Sequence, residues 1–165
     1  MKELLTRYGK VGCIWFDGHW DASWTHENAK EMYSYIRHLQ PDTLLGNRID
    51  QKSDGSGVCA WTGSFFHGPD PVGDYQAREM DVGGFYMDKA WDNCYNLRAN
   101  PCGSWSWIKD QYNWPTRTRD DVIGKLIECI GRDGGLLLGL GPREDGTIDR
   151  EDAFALKNIG LWMNE

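Results

Sequence analysis

The feature that most constrains the fold of this 165-residue chain is an alternation of short apolar runs with amphipathic stretches. The apolar run 11–16 predicts a buried strand that ends at Asp17. Apolar residues then recur at helical spacing over 27–39, Pro41 stops that helix, and residues 43–47 predict a second strand. A strand–helix–strand unit of this kind builds parallel sheets.

The second half of the chain repeats this alternation. A strand is predicted around 90–97, an amphipathic helix over 120–131 ended by the glycine pair 134–135, a buried strand at 136–140, and a last helix capped by Asp149. The apolar face of the helix at 120–131 is expected to consist of Val122, Ile123, Leu126, Ile127 and Ile130. Residues 48–90 show weak periodicity, and a connection of that length is typical of an active-site surround.

Four strands and three helices amount to about half of a (β/α)8 barrel, which needs about 250 residues. The predicted fold class is therefore α/β, a partial TIM-like barrel, and we expect the chain to be a fragment. A half barrel leaves two strand edges unpaired, which favours self-association.

Composition excludes several classes of function. Eighteen Lys and Arg against 25 Asp and Glu give a net charge of −7, and no basic run favours nucleic-acid binding. No apolar stretch approaches the roughly 18 residues of a membrane span, and the first residues lack the pattern of a secretory signal. The five cysteines form no C-x-x-C pair and the four histidines are scattered, so no metal site is predicted.

Asp17 is the first candidate catalytic residue, because it directly follows a predicted buried strand, where barrel enzymes keep their catalytic groups. A carboxylate framed by Trp residues suits a nucleophile toward a sugar carbon. Asp92, next to Trp91, is the candidate proton donor, because apolar surroundings keep a carboxyl group protonated. Glu79 and Asp74 compete for that role. The alternatives are a capping role for Asp17 and solvated loop positions for the other acids.

Arg48 follows the second predicted strand, where it would hold a sugar hydroxyl or position a carboxylate. The alternative is a surface ion pair of little energetic value. Nine tryptophans add flat apolar faces, which suit stacking on sugar rings but also fill protein cores.

Five ordered motifs resemble the α-L-fucosidases of glycoside hydrolase family 29. The matching segments are 8–20, 36–42 with 45–48, 73–75, 91–94 and 134–148. The resemblance covers nearly the whole chain. It implies that residues 1–165 form the C-terminal part of the catalytic barrel, without the early strands and without the β-sandwich that usually follows.

The resemblance also implies roles for individual residues. Asp17 matches the nucleophile that forms a covalent fucosyl–enzyme intermediate, and Asp92 falls where many members carry a Glu as general acid/base. Trp15 matches a Trp beside the sugar, and Arg48 matches an Arg that contacts the fucose or the nucleophile.

Two further positions complete the comparison with the family. Trp105 or Trp107 corresponds to an aromatic side chain near the methyl-bearing face of the ring. Gly139 stands where the family usually has Asn, so a local hydrogen bond of the family is not expected here.

The implied function is that of a retaining exo-glycosidase that releases terminal α-L-fucose from glycans or glycoconjugates. It would need neither a metal ion nor an organic cofactor, and the family points to a secreted, periplasmic or lysosomal setting. The alternative is a non-catalytic carbohydrate-binding remnant, suggested by the shorter acid at position 92 and the Trp-rich surface.

Overall fold

The computed structural model describes residues 1–50, 70–80, 82, 89–99, 105–107 and 114–165. The described elements are α1 (Lys2–Arg7), β1 (Cys13–Ile14), α2 (His26–Leu39), β2 (Leu44–Leu45), a 3-10 turn (Asn47–Ile49), β3 (Gln76–Glu79), β4 (Trp91–Asn96), α3 (Arg119–Gly131), β5 (Gly134–Gly139) and α4 (Arg150–Trp162). The described ranges thus hold five strands and four α-helices, against four and three predicted.

The chain divides into two compact units. The first comprises Met1–Arg78 and Met87–Trp91, and the second comprises Glu79–Tyr86 and Asp92–Glu165. Each unit contains a hydrophobic core of its own.

The first unit contains the predicted strand–helix–strand arrangement. β1 and β2 pair in parallel, with Cys13 opposite Leu44 and Ile14 opposite Leu45, which confirms the predicted parallel pairing. The prediction that residues 11–16 form a buried strand was wrong for one face, because Cys13 is exposed, as is Leu44 opposite it. Side chains alternate across a strand, so only Ile14 and Leu45 join the core.

α2 begins at a capping box, in which Thr25 and Asn28 satisfy each other's backbone N–H groups. Its apolar face packs into a core whose buried members are Leu5, Ile36, Leu45 and Ile49. The sequence analysis did not anticipate α1, since six residues are too few to show helical periodicity.

The prediction that residues 48–90 form only a connection was wrong for 76–79, which form β3. This stretch reads Gln-Ala-Arg-Glu and lacks the β-branched and aromatic residues that mark strands. Its first N–H, from Gln76, donates to the carbonyl of Ala90 at 2.9 Å. Much of the rest of that connection lies outside the described residues.

The second unit confirms the predicted strand at 90–97 and the predicted helices at both ends of β5. Leu97 donates its N–H to Gly139 at 2.8 Å. The core of this unit has Leu97, Val122, Ala155 and Ile159 at its centre.

Two details of the second unit differ from prediction. The glycine pair 134–135 begins β5 instead of ending α3; the left-handed residue there is Asp133, with φ 61°, a conformation that Asp tolerates. The apolar face of α3 is only partly covered, since Ile127 and Ile130 are 56% and 61% exposed. Within the described ranges, no helix has the length and hydropathy needed to cross a membrane.

Candidate active site

Asp17 lies just beyond the end of β1, and its side chain is 56% exposed. The loop that follows it is closed by local hydrogen bonds. Asp21 donates its N–H to Gly18 at 3.0 Å and accepts the hydroxyl and N–H of Ser23 at 2.6 and 2.8 Å. These two bonds from Ser23 lower the pKa of Asp21. The carboxylate of Asp17 is thus presented to solvent at the start of an ordered loop.

Arg48 lies in the 3-10 turn after β2 and is 7% exposed. Its Nη1 is 3.4 Å from Oδ1 of Asp17, and its Nε donates to the carbonyl of Ala77 at 3.2 Å. The guanidinium carbon lies 4.7 Å from the centre of the Trp15 ring, a favourable cation–π distance. Three of the predicted site residues therefore meet at one place.

Arg48, Asp17 and Trp15 each contribute a different interaction to this cluster. A planar guanidinium can stack on an aromatic face while it donates in its own plane, so Trp15 and Ala77 hold Arg48 toward Asp17. The indole Nε1 of Trp15 is buried and has no hydrogen-bond partner within the described part of the chain. The arrangement offers a fixed cation, an open carboxylate and an unused donor, which together suit a polyhydroxylated ligand.

Two contacts, one from the loop after Asp17 and one from the first residue of α2, reach the 3-10 turn that carries Arg48. Trp24 donates its indole N–H to the carbonyl of Ile49 at 2.8 Å. His26 Nδ1 lies 2.7 Å from Oδ1 of Asp50, whose other oxygen accepts the N–H of Val72 at 2.9 Å. The sequence analysis missed this pair, because His26 and Asp50 are 24 positions apart and no local pattern relates them.

Asp74, one of the competitors for the proton donor, has a structural role instead. It accepts hydrogen bonds from Tyr33 at 2.8 Å and from the N–H of Leu45 at 2.8 Å, and it is ion-paired with Arg37. Burial alone would raise the pKa of Asp74, but these partners outweigh it and the pKa lies below its ordinary value. A carboxyl group held ionised in this way is a poor proton donor.

Asp92 is the second residue of β4 and is half-buried, directly after the buried Trp91. Glu79 is the last residue of β3 and is also half-buried. Both belong to the second compact unit. The assignment of either acid as proton donor stays a prediction.

Trp105 and Trp107 are half-buried and lie against the end of β5. A Cβ built on Gly139 would lie 3.2 Å from the ring of Trp105, and a Cβ on Gly141 would lie 2.2 Å from the backbone nitrogen of Trp107. The space that an Asn side chain would take at position 139 is therefore occupied by Trp105. In the parts of the chain that the structure describes, no group of three or more His, Cys, Asp or Glu is placed to hold a metal ion.

Comparison with known proteins identifies the family of this chain. The sequence profile of the alpha-L-fucosidase family matches residues 1–165. The chain belongs to the α-L-fucosidase family.

Similar proteins include a putative alpha-L-fucosidase of Caenorhabditis elegans, 27% identical over 99% of this chain and 31% of that protein. The tissue alpha-L-fucosidase of Homo sapiens is 24% identical over 98% of this chain and 32% of its own length. The chain thus spans about a third of the length of the curated relatives that it matches.

Solved structures give the same result. Alpha-L-fucosidase isoenzyme 1 from Paenibacillus thiaminolyticus superposes with a TM-score of 0.76 at 26% identity, covering 99% of this chain and 37% of that one. An alpha-L-fucosidase GH29 from Bacteroides thetaiotaomicron, described as a trapped covalent intermediate with 2-fluoro-fucosyl fluoride, gives a TM-score of 0.79 at 25% identity, with the same coverage.

Proposed function

We propose that this chain carries the nucleophile part of the active site of a retaining α-L-fucosidase, within a partial (β/α)8 barrel. The observation that carries the proposal is the contact of Arg48 with Asp17 and Trp15 beyond the ends of two parallel strands, in a chain of the α-L-fucosidase family. The substrate would be a glycan or glycoconjugate with terminal α-L-fucose. The relatives named tissue and plasma fucosidases favour a secreted or lysosomal setting.

In the first chemical step, a carboxylate oxygen of Asp17 bonds to the anomeric carbon of fucose while the glycosidic C–O bond breaks. Asp92 gives its proton to the departing oxygen. In the second step Asp92 takes a proton from water, the water oxygen bonds to the anomeric carbon, and the ester bond to Asp17 breaks. The covalent intermediate named for the Bacteroides relative supports this two-step route.

The remaining site residues would bind the sugar. The N–H of Trp15 has no partner within the described residues and would donate to a fucose hydroxyl. Arg48 orients the Asp17 carboxylate, because charge-assisted hydrogen bonds from a guanidinium fix carboxylate geometry. Trp105 or Trp107 would contact the methyl-bearing face of the ring, since an indole face suits such apolar contact.

The test of the nucleophile is Asp17→Asn in the natural protein that carries this chain. We expect hydrolysis of an aryl α-L-fucoside to fall at least about 1,000-fold, because an amide cannot form the ester. Mass spectrometry with 2-fluoro-fucosyl fluoride should detect a covalent adduct on the unmodified protein and none on the variant.

The matched control is Asp42→Asn, an exposed acid that precedes β2 and pairs with Lys10 at 3.3 Å. It should leave both readouts unchanged. Full activity of Asp17→Asn would exclude Asp17 as nucleophile. Binding of fucose by the unmodified protein without turnover would instead favour a non-catalytic carbohydrate-binding protein.

A separate experiment tests Asp92. Removal of the acid/base in Asp92→Ala leaves the fucosyl ester on Asp17 without a general base, and a small anion that needs no such help can then attack it. Added azide should therefore restore turnover and give fucosyl azide as product. The same substitution at Glu79 should show no azide effect; the reverse pattern would assign the role to Glu79.

A further inference from the structure

Trp20 is an aromatic side chain that the proposed mechanism does not use. It comes three residues after Asp17, in the same loop, and is 47% exposed. A large apolar ring open to solvent beside a ligand site is a candidate for ligand contact.

The loop that carries Trp20 is held in place on both sides of the ring. Asp21 and Trp24 donate their N–H groups to Gly18 and Asp21, each at 3.0 Å. The indole of Trp24 is anchored on Ile49, next to Arg48. A platform that is fixed before the ligand arrives loses little conformational entropy on binding.

His19 supports the ring from the side. The centroids of His19 and Trp20 are 5.2 Å apart and their planes meet at 69°, an edge-to-face contact. His19 is half-buried whereas Trp20 is exposed. The indole is therefore braced within the loop while a large part of its surface is open.

The ligand group that fits this place is the sugar to which fucose is attached. Arg48, which is buried, contacts both Asp17 and Trp15, and the fucose ring would be held beside these residues. The leaving group must point toward solvent, because the rest of the glycan extends there. The apolar C–H face of a hexose ring matches an exposed indole face.

We propose that Trp20 is a specificity-determining residue that stacks on the sugar next to fucose and favours saccharide leaving groups over small ones. This proposal rests on the proposed fucosidase function.

The experiment compares two substrates of the natural protein that carries this chain: a fucosylated disaccharide and α-L-fucosyl fluoride, which has no leaving-group ring. Trp20→Ala should lower kcat/KM for the disaccharide about ten-fold, the size expected for loss of one aromatic contact, and leave the fluoride unchanged. Trp20→Phe, which keeps an aromatic face, should retain most disaccharide activity. Tyr8→Ala is the matched control, because Tyr8 is 71% exposed and precedes β1 instead of following it.

Different results would contradict the role of Trp20 and the proposed fucosidase function. An equal loss for both substrates, or no loss for either, overturns the role of Trp20. Failure of the unmodified protein to hydrolyse α-L-fucosyl fluoride overturns the fucosidase function itself, and the role of Trp20 falls with it.

Discussion

At the residue scale, Gly141 illustrates how closely the Trp-bearing segment approaches the end of β5. Any Cβ at this position would meet the backbone of Trp107 at 2.2 Å, and a backbone atom cannot move aside as a side-chain tip can. Gly141→Ala is therefore expected to lower the free energy of unfolding by about 1–3 kcal/mol. Chemical denaturation monitored by circular dichroism measures this change.

Gly124 provides the comparison within the same unit. It lies in α3, and a Cβ there would meet nothing within 4 Å. Gly124→Ala should raise the free energy of unfolding by about 0.5–1 kcal/mol, because Ala has the higher helix propensity. Equal effects of the two alanines would contradict the close approach at Gly141.

At this scale, some contacts between residues could be predicted from the sequence and others could not. The proximity of Asp17 and Arg48 could be predicted, because each follows a short apolar run that signals a strand. The occupation of the space over Gly139 by Trp105 could not, since the two residues are 34 positions apart and only the folded chain brings them together. Asp74 was offered as a proton donor because the sequence does not reveal that Arg37 and Tyr33 hold its carboxylate.

At the element scale, Asp74 joins α2 to the start of β3. Its carboxylate accepts from Tyr33 and Arg37 on α2 and from Leu45 on β2. Asp74→Asn should lower the free energy of unfolding by about 2–3 kcal/mol at pH 7, because a partly buried ion pair and its hydrogen bonds are lost together.

The sign of the pH dependence follows from the lowered pKa of Asp74. The stabilisation is present above the ordinary value of 3.8 and is lost as the pH falls through the lower value of the folded state. Urea titrations between pH 7 and pH 3 should show the unmodified protein and Asp74→Asn converging at the acidic end. Asp42→Asn should differ little from the unmodified protein, since exposed ion pairs contribute less than about 1 kcal/mol. A constant gap for Asp74→Asn down to pH 3 would contradict the assignment.

Elements with a long periodic pattern were predicted well, whereas α1 and β3 were not predicted. α2, α3 and α4 each extend over 13 or 14 residues and begin at a side-chain cap, so both periodicity and capping identify them. α1 and β3 have six and four residues. Their formation depends on tertiary contacts, such as burial of Leu5 and the bond from Gln76 to Ala90, which no local pattern contains.

At the scale of the whole molecule, the two cores concentrate stability in a few side chains. Ile159 is 7% exposed in the core of the second unit, whereas Ile130 on α3 is 61% exposed. Ile159→Ala should lower the free energy of unfolding by about 2–5 kcal/mol through lost burial and cavity formation. Ile130→Ala should change it by less than about 0.5 kcal/mol. Similar losses in denaturant titrations of both variants would show that Ile130 is covered in solution.

The fold class was predictable at this scale as α/β with parallel pairing, because strand and helix signals alternate along the whole chain. The partial barrel stays a proposal, since it requires closure by strands beyond those described. The chain covers 37% of each of the two solved fucosidases compared above.

The unequal burial of Arg48 and Asp17 bears on which charge persists through the proposed cycle. The cation is enclosed at 7% exposure, while its anionic neighbour is open at 56%. In the proposed cycle, ester formation removes the negative charge of Asp17 and leaves the positive charge of Arg48 in place. As the ester bond breaks, the Asp17 carboxylate regains its negative charge, and the enclosed positive charge of Arg48 stabilises it. The same pair that steadies the attacking group in one half of turnover would thus help to release it in the other.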